Sequence, residues 1–456
     1  MITLTAAAAA LALSLGQTTT LTLDEALQRA DQANLDLKAA QAKVAQAKAG
    51  IWKAWSYHLP NVSVGASWTH NRDEVILPFP ETYAVVGTNS ATYTPPPGSS
   101  LTATNMLAIP ATFQDIVLQK HDVYGAQVQA TLPLLAPQLW YTIESAYRGA
   151  GVAEKSVEAA RREILFGVTQ AYYGTASLKR LVEVSNQLLE IARRQEKDAE
   201  VRYKAGTIAK VGLLRAQIDR ARAEQDLLRS KNSYESVRLS LAMLLDRPPD
   251  FEVADPADPT LPQDLGGLER SALQDRPDVQ AARLSEDLAG SLRKASAMKY
   301  LPAVGAFARY QISNVAGFTG KEDSWAVGLG LTWNVFDGGL REAELREGGA
   351  RIAEAEASRR SAEAKATMEV KQALLDLESA RANASKAREQ RELAAENQRL
   401  VDVSFKAGAA TAVEQADATA ALRTAEIAYV TESLAAQLAA VRVQKAAGSY
   451  DPARAH

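Results

Sequence analysis

Apolar and polar residues alternate in short stretches of this chain. Val62, Val64, Ala66 and Trp68 alternate with Ser63, Gly65, Ser67 and Thr69. Tyr124, Ala126, Val128, Ala130 and Leu132 alternate with Val123, Gly125, Gln127, Gln129 and Thr131. Trp325, Val327, Leu329, Leu331, Trp333 and Val335 alternate with Ala326, Gly328, Gly330, Thr332 and Asn334. A period of two places each set on one side of a strand. The pattern predicts four strands, at 61–71, 122–134, 303–312 and 325–335. Their lengths suit a strand that crosses a bilayer at a tilt. One side is apolar with Trp68, Tyr124, Trp325 and Trp333 near its ends, as an interfacial aromatic girdle needs. The other side is small and polar, as a water-filled lumen needs. Taken strand by strand, a half-buried sheet of a soluble protein explains the alternation as well. The number of strands says more. Four strands cannot close a barrel, the smallest membrane barrels use about eight, and an open sheet edge cannot face lipid. A membrane reading therefore requires several chains to pool their strands.

Elsewhere the period changes to that of helices. Gln138 to Tyr203 is 66 residues without proline, which would make a helix of roughly 100 Å at about 1.5 Å per residue. Its counterpart, Gly339 to Phe405, is 67 residues. Apolar or small residues recur at heptad spacing, as in Val157, Ala160, Ile164, Gly167 and Ala171, and in Val370, Ala373, Leu377 and Ala380. Such seams predict coiled-coil packing with close approach of the helices. Each long helix is expected to turn back at a Lys-Ala-Gly, where Gly206 and Gly408 can adopt the left-handed conformation of a helix end. The return arms run to about Leu245 and Ala447. Further helices are expected at 24–57, with Thr22 or Asp24 as cap, and at 265–299. Pro277 lies near a first turn, where its missing N–H is tolerated.

The order of these elements repeats. Leu59-Pro60 before the first strand recurs as Leu301-Pro302, Thr131 near the end of the second strand recurs as Thr332, and Lys204-Ala205-Gly206 recurs as Lys406-Ala407-Gly408. Pro60 to Thr131 spans 71 positions and Pro302 to Thr332 spans 30, so the first half carries about 41 extra residues in its strand region. The chain thus reads as two copies of one unit, 17–247 and 265–448, joined by a proline-rich linker over 248–264 and followed by a tail at 449–456. The first unit holds a helical hairpin over 138–246 with its tip at 203–207. The second holds one over 339–447 with its tip at 405–409. The surplus in the first half, rich in proline and glycine, is expected to be a long loop over 72–121 on the outer side of a barrel.

Composition narrows the function. Hydrophobic residues make up 47% and charged ones 23%, which fits a folded protein, and a net charge of −3 gives no basic footprint for nucleic acid. There is no cysteine, which removes disulfides, thiolate metal sites and lipidation of an N-terminal Cys. The four histidines, His58, His70, His121 and His456, have no metal-ligand spacing, and neither a phosphate loop nor a nucleophile elbow occurs. No cofactor and no catalytic residue is expected. Leu4 to Leu15 is an apolar run of signal-peptide length, too short to span a bilayer, so residues 1–16 read as an export signal despite lacking a preceding Lys or Arg.

Taken together, the Leu-Pro before each strand pair, Arg276-Pro277-Asp278, the junction Asn334-Val335-Phe336-Asp337-Gly338-Gly339 and the duplicated Lys-Ala-Gly tips resemble the outer-membrane efflux protein family, the TolC-like channels. The resemblance covers nearly the whole chain after the leader. It implies a mainly helical fold with transmembrane β structure, in which a homotrimer closes a 12-stranded barrel continued by a periplasmic coiled-coil tunnel. It implies no catalysis. It implies that a periplasmic adaptor (membrane fusion protein) and an inner-membrane pump are partners, besides outer-membrane lipid, in a tripartite efflux pump. By that resemblance Tyr203, Ala205, Gly206, Phe405, Ala407 and Gly408 sit where tips meet the adaptor and narrow the entrance, and Glu414 and Asp417 are pore-facing acids. Three copies of those two acids would form rings that favour cations. Some members lock the entrance with an Arg and an Asp at positions held here by Ala410 and Gly212, so that ionic lock is missing. An exit duct for type I protein or polymer secretion shares the architecture. A soluble coiled-coil scaffold would explain the helices, but not the Trp-bearing strands.

Overall fold

Asn34 and Arg276 mark the places where an alanine-rich helix is interrupted in each half of the chain. A computed structural model describes residues 19–87, 106–260, 266–316 and 320–451. The expected export signal, the centre of the expected loop, part of the linker and the end of the tail lie outside the described residues. The described chain begins with β1 (Thr19–Leu21), followed by α1 (Leu23–Ala33) and α2 (Leu35–Ser56). The single helix expected over 24–57 is therefore two. Asn34 ends α1 with ψ 127°, accepts the Leu37 N–H through Oδ1 at 3.0 Å, and donates Nδ2 to Leu244 O at 2.9 Å. A short amide that caps one helix and binds the end of another outweighs the helix preference of its alanine neighbours. In the second half, α5 (Leu268–Asp275) and α6 (Pro277–Met298) are separated by Arg276, whose ψ of 124° is the conformation favoured before proline.

The chain divides into two compact units, one of them residues 1–50, 145–290 and 348–456, the other residues 51–144 and 291–347. The first is helical. It contains most of α3 (Pro137–Lys204), all of α4 (Lys210–Leu244), most of α7 (Leu340–Lys406) and all of α8 (Ala412–Ala446). Its core is duplicated as the sequence is. One cluster joins Leu27 of α1 to Leu165, Val168 and Tyr172 of α3 and Leu241 of α4. The other joins Leu268 and Ala272 of α5 to Val370 and Leu377 of α7 and Val443 of α8. The proline-rich linker contributes a feature the sequence does not suggest. Its β6 (Phe251–Val253) pairs in parallel with β1, Thr19 opposite Phe251 and Leu21 opposite Val253. Tyr172 holds this pair: its hydroxyl lies 2.8 Å from Leu21 O and 2.9 Å from Ala254 O, and burial pushes the phenol up to about 12.

Two arginines, Arg161 buried and Arg276 partly buried, bridge separate elements of this unit. Arg161 binds Asp31 and, at 2.8 Å, Asp451. Arg276 binds Asp278 at 2.8 Å and Glu369 at 2.6 Å. Each guanidinium has more than one carboxylate partner, which offsets the cost of withdrawing it from water.

The second unit is built on β2 (Asn61–His70), β5 (Asp122–Leu135), β7 (Ala303–Ser313) and β8 (Asp323–Thr332). They form an antiparallel sheet in the order β2-β5-β7-β8. The expected loop over 72–121 is corrected by the structure: β3 (Val75–Gly87) and β4 (Met106–Gln119) pair antiparallel across much of it. Proline does not prevent this, because in a two-stranded ribbon each strand has one unpaired edge, and an absent N–H is tolerated there. Register shifts between Pro80 and Tyr83 absorb the irregularity. The strand expected over 325–335 ends at Thr332. Gly338 and Gly339 follow in left-handed conformations, φ 72° and 88°, and Arg341 fastens the turn by binding Asp337 at 2.8 Å and Val335 O at 3.0 Å.

Candidate functional site

Both helical hairpins turn by the same mechanism. Gly206 has φ 73°, its N–H donates to Tyr203 O at 3.0 Å, and Thr207 N–H donates to Arg202 O at 2.9 Å. Gly408 has φ 77°, its N–H donates to Phe405 O at 3.1 Å, and Ala409 N–H donates to Ser404 O at 2.8 Å. These paired bonds satisfy carbonyls that a helix end would leave bare, and the left-handed residue between them is free of strain only as glycine. Ala205 and Ala407 precede the glycines, and all four residues are exposed.

The two tip aromatics are not equivalent. Tyr203 is exposed, whereas Phe405 is buried. Arg202 covers Phe405: its guanidinium carbon stands 4.4 Å from the Phe405 ring centroid while its Nη2 donates to Phe405 O at 3.1 Å. Farther from the tips, Gln195 Nε2 donates to Thr419 at 3.0 Å and Arg423 binds Asp226 at 3.1 Å. These polar contacts, with the Lys445–Glu163 ion pair at 2.5 Å farther along, join the first hairpin to the second. Sequence reasoning missed all of them, because nothing in heptad spacing says which polar side chains meet.

The acids beyond the second tip also differ from one another. Thr411 and Glu414 form a reciprocal cap on α8: Thr411 N–H donates to Glu414 Oε2 at 2.7 Å, and Glu414 N–H donates to Thr411 Oγ1 at 3.2 Å. The bond from the Thr411 backbone holds the Glu414 carboxyl below the usual glutamate range. Asp417, one turn on, is exposed. α4, at the first tip, is preceded by Ala209, which supplies no side-chain cap.

The sheet presents an unusual surface. Register puts Val64, Val128, Tyr310 and Trp325 in one row on the same face, with Ala130, Ala308 and Val327 in the next. This face is bare: Val64 is 76% exposed, Trp325 72%, Leu329 72% and Leu331 66%. Trp68 sits opposite Tyr124 toward one end of the sheet, and its indole N–H donates to Asp122 at 3.0 Å. Trp333 lies just past the strand at the other end, and its indole N–H donates to Tyr300 O at 3.1 Å. The eight steps from Trp325 to Trp333 span roughly 26 Å at about 3.3 Å each, close to the height of a lipid-facing band of about 25 Å. Among the described residues, no strand pairs with the outer edges of β2 or β8. No described helix is long and apolar enough to cross a membrane, and no group of His, Asp or Glu among the described residues could hold a metal ion.

A family model described as outer membrane efflux protein matches residues 26–246 and 268–449. Outer membrane efflux protein BepC of Brucella suis biovar 1 is 23% identical over 240 residues, which cover 51% of this chain and 53% of that protein. Protein CyaE of Bordetella pertussis is 26% identical over 261 residues, 54% of this chain and 55% of that protein. The chain spans about half the length of these curated relatives in such matches. The crystal structure of the outer membrane protein VceC from Vibrio cholerae shares the fold, with a TM-score of 0.72 at 20% identity over 93% of this chain and 96% of that one.

Proposed function

Because the chain belongs to the outer membrane efflux protein family, we propose that three copies pool their sheets into one outer-membrane barrel and serve as the exit duct of a tripartite efflux pump. One observation carries this reading: a sheet with an exposed apolar face and two open edges. A face of Val, Leu and Trp left in water forfeits about 25 cal/mol for every Å² of apolar surface, and unpaired edges invite association. Lipid answers the first problem and identical neighbours answer the second, since β8 of one copy can pair with β2 of the next. Three copies of a four-stranded sheet make a closed barrel of twelve strands, which has no edge to expose. A soluble coiled-coil scaffold would have to leave that face wet.

On this reading the helical hairpins stand in the periplasm and their tips form the entrance. Tyr203, Ala205 and Gly206, with Ala407 and Gly408, offer an exposed surface to a periplasmic adaptor, which links the duct to an inner-membrane pump. Phe405 acts from within, as the seat for Arg202. Of the two acids, Asp417 is the better candidate for a pore-facing ring, because Glu414 is engaged in its cap. The duct needs no catalytic residue, since the pump supplies the energy.

Gly206→Pro and Gly408→Pro test the tips directly. Each replaces a left-handed residue with one fixed near φ −65° and removes an N–H that is bonded in the turn. Both variants should reach the outer membrane at normal levels yet export poorly with their pump. Full export by both would overturn the docking role.

A further inference from the structure

The face of the sheet opposite the apolar one carries a single ionisable residue among the described strand positions. Ser63 and Ser67 of β2, Gln127 and Gln129 of β5, and Gln311 of β7 are typical of it. Arg309 is the exception. Its row runs Ser63, Gln129, Arg309, Ala326, with no carboxylate in it. The Arg309 side chain is exposed and makes no ion pair or hydrogen bond with the described residues. Other charged residues of these strands lie at the ends, as His70 and Asp122 do, or on the apolar side, as Asp323 does.

Phe307 is the second exception on this face, two residues before Arg309. Its ring reaches across to β8, and a Cβ placed on Gly328 would come within 2.8 Å of Phe307 Cζ. The glycine therefore makes the space in which the ring lies. A guanidinium and an aromatic ring stand together on a face otherwise built of small or neutral side chains.

We infer that Arg309, with Phe307 beside it, sets the charge preference of the barrel lumen and favours small organic anions, aromatic ones above all. The inference rests on the trimeric reading, because only a closed barrel turns one arginine into a ring of three. Three like charges at one level repel each other, and a passing anion relieves that repulsion. The guanidinium pairs well with carboxylate, sulfonate or phosphate, and an aromatic solute can stack on Phe307. Rings of Arg or Lys are the usual device of anion-passing pores. At about 0.15 M salt the screening length is about 8 Å, comparable to the reach of an arginine into the lumen, so the field acts on passing ions.

The test is ion selectivity of the purified full-length protein in planar bilayers. Reversal potentials in a potassium chloride gradient give the chloride-to-potassium permeability ratio. Arg309→Glu should lower that ratio at least threefold, and Arg309→Gln should fall between Arg309→Glu and wild type. Replacing chloride with benzoate, Phe307→Ala should lower the benzoate-to-chloride ratio at least twofold. The Arg309 effect should fade in 1 M salt, where the screening length falls to about 3 Å, whereas the Phe307 effect should persist. A conducting Arg309→Glu channel with a smaller change overturns the role of Arg309, wherever else selectivity lies, and an unchanged benzoate ratio overturns that of Phe307. Arg309→Gln keeps the test decisive if the Glu variant does not insert. Wild-type protein that inserts and passes no current would instead overturn the duct reading, and this inference with it.

Discussion

Arg202 of the first hairpin grips Phe405 of the second twice, stacking on its ring at 4.4 Å and donating to its carbonyl at 3.1 Å. The two residues lie beside the two turns, so this contact joins the tips within one chain. A stacked cation and a charge-assisted hydrogen bond together are worth about 2 kcal/mol. Ala410 and Gly212 offer no ionic lock, and the Arg202–Phe405 contact is positioned to hold the tips in its place. Arg202→Ala should raise the resting conductance of the reconstituted channel several-fold and expose Phe405 to solvent. Arg202→Lys should rescue it only partly, because an ammonium cannot stack flat on the ring while donating sideways. Unchanged conductance in Arg202→Ala would show that the tips are held elsewhere, with Arg423–Asp226 the next contact to remove.

Tyr172 fastens the start of the described chain to the linker. Tyr172→Phe leaves two acceptors, Leu21 O and Ala254 O, without their shared donor. Losing a buried partner costs about 1–3 kcal/mol. The variant should unfold at lower temperature in detergent, and hydrogen exchange should rise across β1 and β6 while the sheet is unaffected. Equal protection in both proteins would remove Tyr172 from that role.

Glu414 gives a pH dependence with a definite sign. Its carboxyl is held below the ordinary value of 4.5 by the Thr411 N–H, so the cap is fully present above that pH and is lost as pH falls through the lowered value. Exchange in the first turn of α8, corrected for intrinsic rates, should therefore accelerate as pH falls through that lowered value. Glu414→Gln, which retains an acceptor but does not titrate, should abolish the dependence. Persistence of the dependence in Glu414→Gln would assign it to another group.

The sequence made the duplication, the long hairpins and the four alternating strands legible, because each rests on a period or on a residue type with one dominant physical use. Gly206 and Gly408 are of the second kind: a left-handed turn at the end of a helix is where glycine belongs. Asn34 was not legible, since asparagine within an alanine-rich run looks like a tolerated helix residue until Leu244 is brought near it. The β3–β4 pair was hidden by its prolines, which argue against a central strand but not against a ribbon with free edges. β6 was hidden by its length, since three residues carry no period. Arg202 could not be singled out from the other arginines of the long helices, because its partner lies 203 positions away.

On the proposed function, three chains share one barrel in the outer membrane. This is tested most directly by the mass of the particle released from the outer-membrane fraction by detergent. The expected result is a three-chain particle that stays in the membrane until detergent is added. A monomer or dimer in the soluble fraction would contradict it, and the apolar face of the sheet would then need a partner other than lipid.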